Sequence, residues 1–308
     1  MRILLTGAGG FIGGALARRL GARGDITLIA CAREGDAGRR GFDLLDADLL
    51  KRALIETRPD VVVHAAGRTS GPPSALLRDN ALASARLAET LAETAPAARL
   101  LLFGSAAQYG AGAAGRPWRE TDPCTPGEAY GIAKLAAERC AFLAAATSGV
   151  RVTALRLFNV VAAAPGGGQV FSSFVAKAAA AASGPEPRRI SMGPLGAVRD
   201  FVALDDVIRA AEAVIDRGAW GEVINVCTGE GRTARALIEA TLSAMRRPPA
   251  LEEVGAPGGE LAWSVGDPGR CGELLGFVPD ADLSALTGRA AGLVDAAAGK
   301  GADARSCA

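Results

Sequence analysis

Histidine occurs once in this chain, at His64, so a Ser-His-Asp triad or a multi-histidine metal centre has almost no material to draw on. The six cysteines, Cys31, Cys124, Cys140, Cys227, Cys271 and Cys307, lack the paired short spacings of a zinc site or a disulfide framework, and no metal is expected. Long basic runs are missing too: 34 Lys+Arg against 33 Asp+Glu leave a net charge of +1, which argues against a nucleic-acid partner. The apolar start Arg2-Ile3-Leu4-Leu5 meets Thr6-Gly7 too soon for a signal core or a membrane span. A soluble, cytoplasmic protein with no membrane partner is the expectation. With 49% hydrophobic residues among 308, the chain can bury one large domain, or a domain and a smaller lobe.

What is present is a rhythm. Short apolar runs at residues 3–6, 26–30, 61–64, 100–103 and 152–156 alternate with helically spaced stretches such as 12–20, 81–94 and 130–146. That alternation predicts an α/β fold, a doubly wound parallel (Rossmann) sheet with a smaller, interleaved C-terminal substrate lobe. The rhythm fades after Asn159, with a small-residue loop at 162–168, a break at 183–189 and a Pro/Gly-rich connection at 248–259. Residues 1–160 are read as a dinucleotide-binding domain and 161–308 mainly as a substrate lobe, with segments around 200–226 returning to the sheet domain. A helix is expected at 205–215, a strand at 223–226, and a frayed tail after Ala296.

The first strand runs into Gly7-Ala8-Gly9-Gly10-Phe11-Ile12-Gly13 and then a helix. Glycines let a backbone approach a pyrophosphate, and the helix N-terminus presents N–H groups and partial positive charge to that anion. The plain alternative is a tight strand-to-helix turn. Tyr130 and Lys134, four residues apart near a helix start, project from one face. A tyrosine, ordinarily near pKa ~10, exchanges protons near neutrality only where positive charge favours the phenolate, which Lys134 and an oxidised nicotinamide can supply. Ser105, at a strand end, offers a hydroxyl to a substrate carbonyl or alkoxide.

On Thr6-Gly7-x-x-Gly10-x-x-Gly13, Ser105 four residues before Tyr109-Gly110, and Tyr130-x-x-x-Lys134, the sequence resembles the extended short-chain dehydrogenase/reductases, over most of its length. The resemblance implies catalysis by Ser105, Tyr130 and Lys134. It implies cofactor contacts from Gly7, Gly10, Phe11, Ile12 and Gly13, from Asp43 and Leu44 near the adenine, and from Ala65, Ala66 and Gly67, with Tyr130 and Lys134 facing the same cofactor. His64 is then structural. Arg156-x-Phe158-Asn159-Val160 implies that Asn159 contacts substrate, and Arg199-Asp200-Phe201 that Arg199 meets a nucleotide diphosphate, a task suited to a bidentate guanidinium.

Later matches lie nearest the GDP-4-keto-6-deoxymannose reductase branch, although Ala256-Pro257 departs from that branch's Arg-Pro. Ala106 and Ala107 stand where the family's 4,6-dehydratases carry Asp-Glu, and Ala107 where its 3,5-epimerase/reductases carry Cys, so both activities are argued against. The expected function is an NAD(P)H-dependent 4-ketoreductase acting on a nucleotide-linked deoxysugar. A 4-epimerase retaining NAD is the alternative, and a non-catalytic dinucleotide-binding sensor stands in another class. Cys31 and Ala32 replace the acid that would bind the ribose of NAD, and Arg33 follows, so NADP(H) is favoured over NAD(H), with Glu34 beside it pulling the other way. Family members pair through the helices matching 80–94 and 130–146, which implies a homodimer.

Overall fold

The computed structural model describes residues 1–33, 39–41, 43–163, 170–182, 187–255 and 263–306, those after 297 as backbone only. Seven parallel strands build the main sheet in the order Val223–Val226, Arg151–Leu157, Arg99–Ser105, Val61–His64, Arg2–Thr6, Thr27–Ala32 and Arg40–Gly41. The chain starts in mid-sheet and winds outward both ways, the doubly wound order. Successive side chains fall into two cores. Ile3, Leu5, Val61, Val63, Leu101 and Phe103 face one; Leu4, Val62, Leu100 and Leu102 face the other. A parallel sheet covered by helices on both faces needs this unbroken apolarity. Helices Phe11–Gly21 and Leu204–Arg217 cover the first face, and Ala47–Thr57, Ala83–Thr94 and Ala129–Ala146 the second.

A smaller core, including Phe171, Phe174, Ile190, Met192, Ile238 and Leu286, lies among helices Val170–Ala182, Ala234–Ser243 and Ser284–Ser306. Strand Val198–Ala203 pairs with Asn159–Val161, Gly231–Thr233 and Trp263–Ser264. Beside Arg199, the fully buried Asp200 accepts from Thr228 N and Oγ1 at 2.8 Å, Gly229 N at 2.9 Å and Gly266 N at 3.3 Å. Burial still pushes its carboxyl above the usual range.

Three expectations need correction. The connection at 248–259 contains a strand, Ala250–Glu253, paired in parallel with Arg189–Met192, because Leu251 packs on the smaller core. The helix expected at 81–94 is preceded by a π turn, Leu77–Leu82, in which the Asn80 amide donates to Leu76 O and Arg68 O at 2.9 Å. The tail is helical to Ser306, since its alanines outweigh its glycines in helix propensity. Glu34, most of the 162–168 loop, residues 183–186 and Ala256-Pro257 lie outside the described residues.

Candidate functional site

Gly7 has φ +71, and a Cβ there would lie 2.5 Å from Ala66 N; one on Gly13 would lie 2.1 Å from Gly7 O. Both glycines therefore let backbones close on one another at the head of the first helix. Gly10 caps that helix without a side-chain bond, and no acid occupies its first turn, so the helix end is open to an anion. A cavity of about 490 Å³ sits there, lined by Gly7, Gly10, Arg33, Asp43, Leu44, Ala65, Ala66 and Gly67 among others. Phe11, Ile12 and Gly13 do not line it: the first two pack against the core and Gly13 is buried beneath the loop. The glycine cradle, the open helix end and this volume fit a dinucleotide.

Cations gather at its rim. Buried Asp79, on the π turn, takes Arg78 Nε at 2.8 Å and Arg68 Nε at 2.7 Å, with Arg33 Nη2 at 3.6 Å. The hydrogen bonds from Arg78 and Arg68 hold its carboxyl down at about 2. Arg39 Nη1 would lie 2.7 Å from a Cβ on Gly9, which places another guanidinium against the glycine loop. Sequence reading missed Arg39, Arg68 and Asp79. They look like ordinary surface charges until the second and fourth strands are set on either side of the first, at the cavity.

Ser105 ends its strand and caps the short turn Ala106–Gln108, its Oγ accepting from Ala107 N at 3.2 Å. Tyr130 stands in the first turn of helix Ala129–Ala146; burial raises the phenol's pKa and the neighbouring Ser105 side chain opposes the rise. One turn on, Lys134 Nζ donates to Phe103 O at 2.7 Å, and burial lowers its ammonium to about 8. A Cβ on Gly131 would lie 2.3 Å from Ala107 O, so glycine lets this helix settle on the Ser105 turn. A Cβ on Gly67 would lie 2.6 Å from Asn80 Oδ1 and 3.7 Å from Lys134 Nζ, which sets the cofactor turn beside the lysine. Ser105, Tyr130 and Lys134 thus meet at one strand end, with Lys134 next to Gly67 of the cavity wall.

Asn159 and Arg199 come from the paired strands Asn159–Val161 and Val198–Ala203. Asn159 lies two residues beyond Leu157, the register partner of Ser105, and opposite Phe201, two residues after Arg199. Arg199 Nη1 donates to Val198 O at 2.9 Å. His64 is buried between Thr6 Oγ1, 2.7 Å from Nδ1, and Ser84 Oγ, 2.9 Å from Nε2. Burial, then the Lys134 charge, lowers its pKa to about 3, so the imidazole is neutral.

The NAD dependent epimerase/dehydratase family matches the chain over residues 3–227. The chain belongs to this family. It is 36% identical over 290 residues to dTDP-6-deoxy-L-talose 4-dehydrogenase (NAD(P)(+)) of Kitasatospora kifunensis, covering 90% of this chain and 91% of that one. It is 30% identical over 244 residues to GDP-6-deoxy-D-mannose reductase of Pseudomonas aeruginosa, covering 77% and 78%. Among solved structures, RMD of Pseudomonas aeruginosa complexed with NADPH superposes with a TM-score of 0.84 at 27% identity, covering 96% of this chain and 99% of that one. UDP-glucose 4-epimerase of Thermus thermophilus complexed with NAD does so with 0.83 at 25%, again covering 96% and 99%. This family member is an NAD(P)-dependent oxidoreductase of the Rossmann type.

Proposed function

We propose that this enzyme is a 4-ketoreductase acting on a nucleotide-linked deoxysugar, with residues 1–160 binding NADP(H) and 161–308 mainly the sugar nucleotide. The observation that carries the reading is the packing of the helix bearing Tyr130 and Lys134 on the Ser105 turn, Gly131 lying against Ala107 O and Lys134 Nζ donating to Phe103 O beside Gly67. When bound, the nicotinamide supplies the hydride. Ser105 donates to the sugar's carbonyl oxygen and Tyr130 delivers a proton to it, while the Lys134 ammonium favours the phenolate left behind. Ala106 and Ala107 carry no carboxylate with which to drive elimination. Asn159 and Arg199 serve the sugar nucleotide, Arg199 at its diphosphate. Reductase and dehydrogenase describe one couple run in opposite directions, which is why relatives of both names support it.

The arginines at the cavity rim, with Cys31 and Ala32 in place of an acid, favour NADPH over NADH. Arg33→Ala is expected to raise the Michaelis constant for NADPH roughly tenfold and that for NADH little, the size of one charge-assisted hydrogen bond. An unchanged NADPH constant would remove Arg33 from the phosphate. The enzyme is further read as a cytoplasmic homodimer joined through helices Ala83–Thr94 and Ala129–Ala146, whose exposed face carries Ile132 and Leu143. Among the described residues no helix is long and apolar enough to cross a membrane.

The deciding experiment is a panel of GDP- and dTDP-linked 4-keto-6-deoxysugars with NADPH, reading absorbance and product together. Stoichiometric oxidation of NADPH is expected. A changed sugar with no net use of nicotinamide would make the enzyme an epimerase, and neither change would leave a binding protein.

A further inference from the structure

We propose that Gln108 is a positioning residue for the reaction: its amide fixes Ser105 and couples it, through Glu138, to the helix that carries Tyr130 and Lys134. The inference rests on the reading of Ser105 as the group that holds the substrate's oxygen.

Gln108 is fully buried three residues past Ser105. Its Oε1 accepts the Ser105 N–H at 2.8 Å, and its Nε2 donates to Glu138 Oε2 at 2.9 Å. The orientation of this amide is set by chemistry. An ionised carboxylate only accepts and a backbone N–H only donates, so turning the amide over would oppose oxygen to oxygen and N–H to N–H. Glu138 is held in turn: Arg156 Nη2 meets Oε1 at 2.6 Å and Nε meets Oε2 at 3.0 Å, both side chains being 3% exposed. Arg156 Nη1 then donates to the Tyr109 hydroxyl at 3.0 Å, and that hydroxyl donates to Asn225 Oδ1 at 2.6 Å. The strand makes room for the arrangement, since a Cβ on Gly104 would lie 2.6 Å from Gln108 Oε1.

Burying an amide, a carboxylate and a guanidinium is a poor route to stability, because their desolvation offsets most of what the pairing returns. What the chain gains is geometry. Glu138 lies four residues after Lys134 on the same helix face, so one carboxylate ties the Ser105 turn to the helix bearing the other two groups. With its N–H held by Gln108 and its Oγ accepting from Ala107 N, Ser105 has its remaining O–H free to turn toward Tyr130 and the substrate.

Two variants test this. Gln108→Met keeps the length and removes both hydrogen bonds; kcat is expected to fall roughly ten- to hundredfold, the scale of a slight misplacement at the reacting centre. The Michaelis constant for the sugar nucleotide and the affinity for NADPH should stay within about threefold. In a Ser105→Ala background the same substitution should cost less than about threefold, because nothing is left to position. Gln108→Glu buries a second acid against Glu138, and the pair must share a proton. The protonated carboxyl at 108 reproduces the amide, its O–H donating to Glu138 and its C=O accepting from Ser105 N–H. Activity near wild type at acid pH, lost along a new limb as pH rises, is therefore expected. The groups around that position are Glu138, Arg156, Tyr109, Lys134 and His64, with Glu120 and Cys124 acting on its partners. Wild type contains all of them, so the new limb is read against its profile.

If Ser105→Ala retains the wild-type rate, the reading of the site falls and this proposal with it. If Ser105→Ala is impaired, two results overturn the proposal alone: a Gln108→Met kcat within about threefold of wild type, or an equal loss in both backgrounds. Should Gln108→Met fail to fold, the Gln108→Glu profile decides, and absence of the new limb overturns the proposal.

Discussion

The chain's two tyrosines are set apart by their neighbours. Tyr109 is fully buried against Arg156 and Asn225, whereas Tyr130 stands at the start of helix Ala129–Ala146 beside Ser105. Tyr130→Phe keeps the ring and removes the transferable proton; turnover should fall at least about a hundredfold, with cofactor affinity measured by fluorescence titration nearly unchanged. Retention of most of the rate would end the assignment. Protonated Tyr130 and charged Lys134 are both lost as pH rises, the lysine first, through about 8. For ketone reduction, kcat/KM should therefore be level on the acid side and decline above pH 8; a rise through that range would contradict the roles assigned to Tyr130 and Lys134. His64 allows a cleaner reading because the chain has one imidazole. With its pKa lowered to about 3, its ring NMR shifts should not move between pH 5 and 8. The unfolded chain binds this proton near pH ~6.5 and the folded chain does not, so its share of stability is present above that value and is lost as pH falls toward 3. A midpoint near neutrality would show the buried pair with Thr6 and Ser84 to be wrong.

At the level of elements, the contacts most sensitive to change are those made through glycine. Gly131→Ala would press a methyl into Ala107 O, and backbone cannot step aside as a side chain can. The helix should shift off the Ser105 turn, lowering kcat while NADPH binding survives. Gly13→Ala, pressing on Gly7 O, should instead weaken NADPH binding and lower Tm by a few degrees, as about 1–3 kcal/mol of overpacking does. Calorimetry and cofactor titration on the two variants should give opposite patterns; a shared pattern would mean that neither glycine acts locally. Such elements were readable in the sequence for a definite reason. Val61-Val62-Val63 and Leu100-Leu101-Leu102 are buried on both faces, and that writes a continuous apolar run. Tyr130 and Lys134 were readable as neighbours because helix pitch puts residues four apart on one face, whereas Ser105 was picked out by the family resemblance of its segment. The strand Ala250–Glu253 was hidden by flanking Pro and Gly and by its weak apolar signal, Leu251 being half-buried and Ala250 exposed. The Asp79 arginines and the Gln108 network were hidden because their partners come from distant stretches, and no local periodicity encodes a contact such as Glu138 with Arg156.

For the whole molecule, the proposed pairing of subunits rests on apolar side chains that nothing in the single chain covers. Ile132 is 45% and Leu143 68% exposed on helix Ala129–Ala146. Ile132→Asp together with Leu143→Asp is expected to convert a dimer into a folded monomer in sedimentation analysis; a monomeric wild type would refute the pairing. The sheet order carries a different consequence, one of timing during synthesis. Strand Arg151–Leu157 receives its outer neighbour only when Val223–Val226 has been made, after much of the smaller lobe. Until then a nascent chain presents an unpaired parallel edge bearing Val152, Ala154 and Leu155, residues buried once folding is complete, and such edges invite association with other chains. A ribosome pausing between these two strands would hold the protein in its most aggregation-prone form, and chains stalled at 200 should recruit chaperones more strongly than chains stalled beyond 240, with tunnel length allowed for.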